Sequence, residues 1–184
     1  LMLLVSAIAQ AQLPAKLQEK LDQQANALEQ SVINWRHHFH QYPELSNREF
    51  KTGARIAEHL KGLGMEVKYP VAKTGVVGIL RTGKPGPVIG LRADIDALPV
   101  VERNALPYAS KETSTYLGQN VGVMHACGHD THIAILMGVA EIFSNRVTER
   151  DQTGKIYWEH KTEDAPYSAQ RLRNGNILIA THSR

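Results

Sequence analysis

The sequence predicts an α/β fold, helices packed on a sheet, followed by a small β-rich tail. Three observations predict it. Two stretches with apolar residues at helical spacing, ending near Tyr42 and Gly64, precede short runs rich in valine and isoleucine. A third stretch, "HDTHIAILMGVAEIF" (129–143), has the length and apolar content of a buried helix. From Ser144 onward the helix–strand alternation stops, and β-like runs separated by turn signals take over.

The chain opens on "LMLLVSAIAQAQ", an apolar run with the small-x-small pattern Ala7-Ile8-Ala9 that precedes signal cleavage. It is too short to span a membrane. Residues 1–12 therefore read as the end of a secretory signal, and the expected localisation is exported, periplasmic or extracellular. The competing reading is a greasy N-terminal arm. Next, Leu17, Leu21, Leu28, Val32, Trp35 and Phe39 form one stripe of a long helix that Pro43 ends. Ser46 and Glu49 make an S-x-x-E capping box for a second helix. Phe50, Ala54, Ala57 and Leu60 are its expected apolar face, and Gly64 its stop.

"MEVKY" (65–69), "GVVGILR" (75–81) and "PVIGLRA" (87–93) read as strands, with "TGKPGP" turning between the last two. Residues 100–122 read as a looser connection. In the tail, Gly154 and Asn174-Gly175 mark hairpin turns, so 144–184 is expected to form an antiparallel meander. The expected division is 1–12 signal remnant, 13–143 catalytic-type domain and 144–184 tail.

Composition excludes several classes of function. The chain has 184 residues, 42% apolar, with a formal net charge of +3 and scattered basic residues, which argues against nucleic acid as a partner. One cysteine, Cys127, cannot close an internal disulfide; it needs another use if the chain is exported.

That cysteine stands in "MHACGHDTH" (124–132), one glycine away from His129. Thiolate and imidazole are both good zinc ligands, and Gly128 lets the backbone bend so that both reach one ion. Alone, the pattern is weak, since a lone cysteine is often a small buried hydrophobe. A link between two chains through Cys127 is a further alternative. The second constellation is "GLRADIDALP" (90–99), where Asp94 and Asp96 lie two apart at the expected end of a strand. Close carboxylates repel unless a cation or donors compensate, so a metal would account for them, and so would a turn that ends the strand.

Taken together, "RHHFHQYPELSNREFKT" (36–52), "TGVVGILRTG" (74–83), "GLRADIDALPV" (90–100) and "HACGHDTHIAILMGVAEI" (125–142) resemble the aminoacylase and carboxypeptidase superfamily of dinuclear metallohydrolases. The branch resembled is the amidohydrolases: hippurate hydrolase, N-acyl-amino-acid amidohydrolases and auxin-conjugate hydrolases. The likeness covers about Val32 to Phe143, the N-terminal part of such a protein. It implies a partial metallopeptidase-like catalytic domain, two divalent ions (zinc or manganese) and hydrolysis of the amide in N-acyl amino acids. By position, Cys127 and His129 match metal ligands. Asp96 matches the carboxylate that serves catalysis by orienting a ligand, and Asp94 is a candidate third ligand. His132 belongs to the motif without a definite role. His37, His38 and His40 are expected to serve packing and capping rather than ligation.

The sequence departs from the family after Phe143. The family's Glu-Glu pair, which supplies the general base and a further ligand, does not appear, nor does its inserted dimerisation domain. Instead "DQTGKIYWEH" and "AQRLRNGNILIATH" resemble one blade of a β-propeller, which needs neighbours to bury its faces. The leading expectation is an amidohydrolase present as a truncated piece and inactive alone. The alternative is a non-catalytic binding chain built from a degenerate hydrolase half and a propeller-like blade.

Overall fold

The computed structural model describes residues 13–82, 86 and 88–144 in full, and the backbone of 146–150, 156–161, 166–171 and 177–181. The expected signal remnant, 1–12, lies outside the described residues.

Helix α1 (Ala15–Gln41) stops where Pro43 dictates, because the residue before a proline is pushed out of helical geometry. Its closing bond runs from Tyr42 N to His38 O at 3.1 Å. Helix α3 (His129–Ser144) packs on its C-terminal half, where Trp35 and Phe39 meet Ile133, Ala134 and Met137, with Val32, Ile56 and Ile95 around them. Gly138 permits the approach: a Cβ there would stand 3.1 Å from Val32 Cγ2. At 27 residues α1 is about 40 Å long and α3, with 16, about 24 Å. The first half of α1 therefore outruns its cover, and Leu17 of the expected stripe is exposed.

Helix α2 (Phe50–Gly62) begins differently from the expected capping box. Glu49 turns back to accept a bond from Asn47 N (2.9 Å), and the free amides of the first turn are capped by Glu44. The Glu44 carboxylate accepts from Lys51 N at 3.2 Å, Thr52 N at 2.8 Å and Thr52 Oγ1 at 2.9 Å. The helix ends as expected at Gly64, whose φ of +76° allows Gly64 N to bond Lys61 O and Met65 N to bond Leu60 O. The buried face is rotated from the one expected: Thr52, Gly53 and Ala57 are covered, whereas Phe50 and Ala54 are exposed. The reason is what packs against the helix. Strands β1 (Glu66–Val71) and β2 (Gly75–Ile79) form an antiparallel hairpin against it. At Gly53 a Cβ would come within 2.6 Å of Thr74 O and 2.7 Å of the Tyr69 ring.

Two expectations about strands fail. The run "PVIGLRA" is not a strand: 88–96 has no regular structure, and Val88 is fully exposed. A strand exists only where a neighbour completes its hydrogen-bond ladder, and no described segment pairs with this run. Only its continuation is held, by bridges Leu45↔Ala97 and Leu98↔Met124. Conversely, the supposedly loose 100–122 contains a hairpin, β3 (Thr113–Tyr116) with β4 (Gln119–Gly122). Its polar, largely exposed residues carry no period-two apolar signal. Leu117 and Gly118 turn it with φ of +49° and +78°, the signs of a type I′ turn.

In the tail, β5 (Arg146–Arg150) pairs with β6 (Ile156–Lys161), and β7 (Pro166–Arg171) with β8 (Ile177–Thr181), both antiparallel. The turns expected at Gly154 and Asn174-Gly175 lie outside the described residues. Among the described residues the strands form four separate two-stranded sheets, two of them in the tail. The α/β class stands, with the sheet in pieces.

Two outcomes follow from local geometry. A leucine in left-handed conformation costs about 1–2 kcal/mol, and the Leu117 side chain is exposed, so replacing it loses little packing. Leu117→Asn creates the favoured Asn-Gly turn and should raise the melting temperature by about 2–4 °C, read by thermal unfolding; a fall would show that Leu117 makes a contact in solution.

The second outcome concerns pH. Burial, and then the Arg55 charge, hold the half-buried His38 ring down at about 4, from an ordinary 6.5. The unfolded chain binds that proton below 6.5 and the folded chain only near 4. Stability should therefore be full above pH 6.5 and decline as pH falls through that window. His38→Gln should flatten part of the decline in melting temperature against pH; an unchanged profile would assign the acid sensitivity to other groups.

Candidate metal centre

The site begins at the turn ahead of α3. Gly128 has φ of +87°, which strains any other residue, and its carbonyl accepts from Thr131 N (3.0 Å) and His132 N (3.3 Å). The turn leaves Cys127 exposed and makes His129 the first residue of the helix, half-buried. A thiol so placed is accessible, unlike a core cysteine.

Asp96 reaches His129 because residues 96–98 are fixed from both sides. Ala97 N bonds Glu44 O at 2.8 Å, while Leu98 and Met124 exchange backbone bonds of 3.0 and 3.1 Å. Leu45, Ala97 and Val123 form a small core behind them. Asp96 O and Asp96 Oδ1 each lie 2.9 Å from His129 Nδ1. A carbonyl oxygen can only accept, so Nδ1 carries the proton and donates. The Nε2 lone pair is then free, the tautomer that a metal-binding histidine requires.

Asp94 is engaged elsewhere. Arg92 Nε and Nη2 donate to its Oδ1 at 2.9 and 2.6 Å. That hydrogen bond, with the Arg92 charge behind it, holds its carboxyl below the ordinary carboxylate range. His132 is exposed, its ring 5.3 Å from that of His129. Among the described residues no group of three or more histidine, cysteine or carboxylate side chains is arranged to hold a metal ion. The structure brings Asp96 to His129, places Cys127 two residues before it, and leaves Asp94 paired with Arg92.

The donors present nevertheless fit a borderline divalent ion: one exposed thiol and one imidazole with a fixed, free nitrogen. Beside them, His125 is buried with neither ring nitrogen bonded within the described residues, and burial lowers its pKa to about 4. A buried neutral imidazole without partners marks a place where polar groups are still owed.

The other histidines behave as expected from helix packing. The His37 ring stacks on Tyr108 at 3.6 Å, and His38 lies against Phe39 and Tyr42. His40 does more. Its Nδ1 lies 2.8 Å from Asp130 Oδ2 and its Nε2 3.1 Å from Glu102 Oε1, and Arg36 Nε donates to the same Asp130 oxygen at 2.9 Å. Sequence reasoning missed this buried network. The available signals were Arg36 and His40 four apart on one helix face and an aspartate in the first turn of α3.

With this geometry in view, comparison with known proteins is specific. Residues 90–170 match the model of peptidase family M20/M25/M40, a span that passes the domain boundary expected at residue 144. The N-acetyl-L-cysteine deacetylase of Bacillus subtilis is 49% identical over 131 residues, covering 71% of this chain and 29% of the relative. The N-acyl-L-amino acid amidohydrolase of Geobacillus stearothermophilus is 37% identical, covering 89% of this chain and 44% of the relative. A crystal structure from Bacillus subtilis, described as a dinuclear metal-binding peptidase of the M20 family, superposes with a TM-score of 0.57 at 41% identity. That superposition covers 65% of this chain and 31% of the other. The chain thus spans less than half the length of these relatives, and over that span, their N-terminal part, it is similar to the amidohydrolases of peptidase family M20/M25/M40.

Proposed function

We propose that this chain carries one side of the metal site of a hydrolase acting on the amide bond of N-acyl amino acids. The observation that carries the proposal is the Asp96–His129 pair, which leaves the His129 Nε2 lone pair free on a residue two after the exposed Cys127. The amidohydrolase and deacetylase names of the relatives supply the substrate class. Two divalent ions, zinc or manganese, would supply carbonyl polarisation and acidification of water when bound. This chain's residues have narrower tasks. Cys127 Sγ and His129 Nε2 hold; Asp96 keeps the proton on His129 Nδ1 and fixes the ring; Asp94, released from Arg92, is the candidate third donor.

What this stretch lacks is the base. No Glu-Glu pair follows α3 in the sequence, and that pair is what the resemblance assigns to take a proton from water and pass it to the leaving amine. That absence favours the second reading, a non-catalytic chain, for this polypeptide by itself. The division at residue 144, with a propeller-like tail, and export on the strength of Ala7-Ile8-Ala9 are part of the same proposal.

Two measurements test it. Titrating cobalt(II) into the purified chain should produce a thiolate charge-transfer band that Cys127→Ser abolishes, and Asp96→Ala should weaken binding about 10–100-fold. A Cys127→Ser variant that keeps the band would dismiss the site. Incubation with zinc or manganese and hippurate should release no amino acid above the Cys127→Ser control, because proton transfer alone is worth on the order of 10²–10⁴ in rate. Metal-dependent release that the substitution abolishes would show that the missing groups come from a second chain.

A further inference from the structure

The buried network behind the site has no part in the chemistry just described. Asp130, 1% exposed, receives Arg36 Nε and His40 Nδ1 on one oxygen, Oδ2. His40 continues to Glu102, whose other oxygen accepts from Ser110 N, and Ser110 Oγ donates to Val123 O at 2.7 Å. Tyr108 closes the outer side, with the Arg36 guanidinium 5.3 Å from its ring centre. One carboxylate in the first turn of α3 is thereby tied to α1 and to the 102–110 connection.

Desolvating such a set of charges is costly, and well-packed apolar residues often serve stability equally well. What charged groups add is register, since they bond in few geometries. Asp130 directly follows His129, and neighbouring side chains on a helix leave it about 100° apart. Fixing the direction of Asp130 fixes the rotation of the first turn, and with it the direction in which His129 leaves the helix. His129 meets Asp96 on that course. Two adjacent residues are thus anchored from two sides, one by α1 and one by the 96–98 segment.

We infer that Asp130, clamped by Arg36 and His40, is a positioning residue that sets the rotation of the α3 first turn so that His129 and Cys127 present their donors together. The inference rests on the metal-site reading above. It assigns Asp130 an effect on metal affinity separate from its effect on stability.

The test is the cobalt(II) titration, made on the full chain well below its melting temperature. Asp130→Asn should keep the helical circular dichroism and weaken the Cys127-dependent charge-transfer band by about 10-fold or more. Unchanged affinity with only a lower melting temperature would make Asp130 merely structural and overturn the inference. If Asp130→Asn does not fold, Arg36→Lys keeps the charge but loses the Nε donor to Oδ2, and it must show the same loss of affinity; unchanged affinity there also overturns the inference. A wild-type chain without a Cys127-dependent band would remove the site reading itself, whereas a normal wild-type band with an unaffected variant removes the clamp alone.

Discussion

The hydrogen bond from His129 Nδ1 to Asp96 is the constraint on which the rest of the site depends. It reaches two oxygens of Asp96, the side-chain Oδ1 and the main-chain O, each at 2.9 Å. A main-chain acceptor cannot rotate into place, so the backbone at residue 96 has to be held. The bridges to Leu45 and Met124 hold it, and Leu45 is in turn held by the connection between α1 and α2, where Glu44 caps α2. The segment before α2, the carboxylate segment and the turn ahead of α3 thus form one mechanical unit. Its order along the chain explains why motifs more than thirty residues apart can act on one imidazole.

Much of this was legible in the sequence, for identifiable reasons. Helix α1 follows from its periodicity and from Pro43, α3 from its length and apolar content, and the end of α2 from Gly64, because each signal acts within a few residues. The "CGHD" turn was legible since glycine at 128 meets a backbone need that the structure shows as φ +87°. The start of α2 was misread because Ser46–Glu49 offered a local cap while a better acceptor, Glu44, lay two residues farther back. The strand at 87–93 was misread because a valine-rich run states only that it can be covered, not that a neighbour exists to cover it. The Arg36–Asp130–His40 network was not legible, since its members are ninety residues apart and only the packing of α1 on α3 brings them together.

That network and the apolar contacts of α1 with α3 act at different ranges. Burying side chains such as Trp35, Phe39 and Ile133 contributes about 1.5–3 kcal/mol each, yet tolerates small rotations of one helix on another. Bonds of 2.8–2.9 Å on a single oxygen do not. A division of labour follows, in which the greasy face brings the helices together and the buried carboxylate selects the rotation. On the proposed reading of His129 as a metal donor, which tolerates misplacement poorly, the rotational choice falls at the end of α3 that carries it.

The same incompleteness appears in two forms. Val88, Ile89 and Leu91 lie exposed ahead of Asp94, an apolar run with no ladder partner among the described residues, and His125 is buried with no bonding partner there. Leaving a residue of this kind uncovered forgoes roughly 1.5–3 kcal/mol, and an unsatisfied buried imidazole costs on the order of 1–3 kcal/mol more. The chain that bears both costs spans less than half the length of these relatives. A thiolate and an imidazole can capture an ion, but a structural zinc shell needs four ligands and a catalytic one three and a water. Among the described residues, then, the 88–93 run has no ladder partner, and no third side chain joins Cys127 and His129 in a donor set.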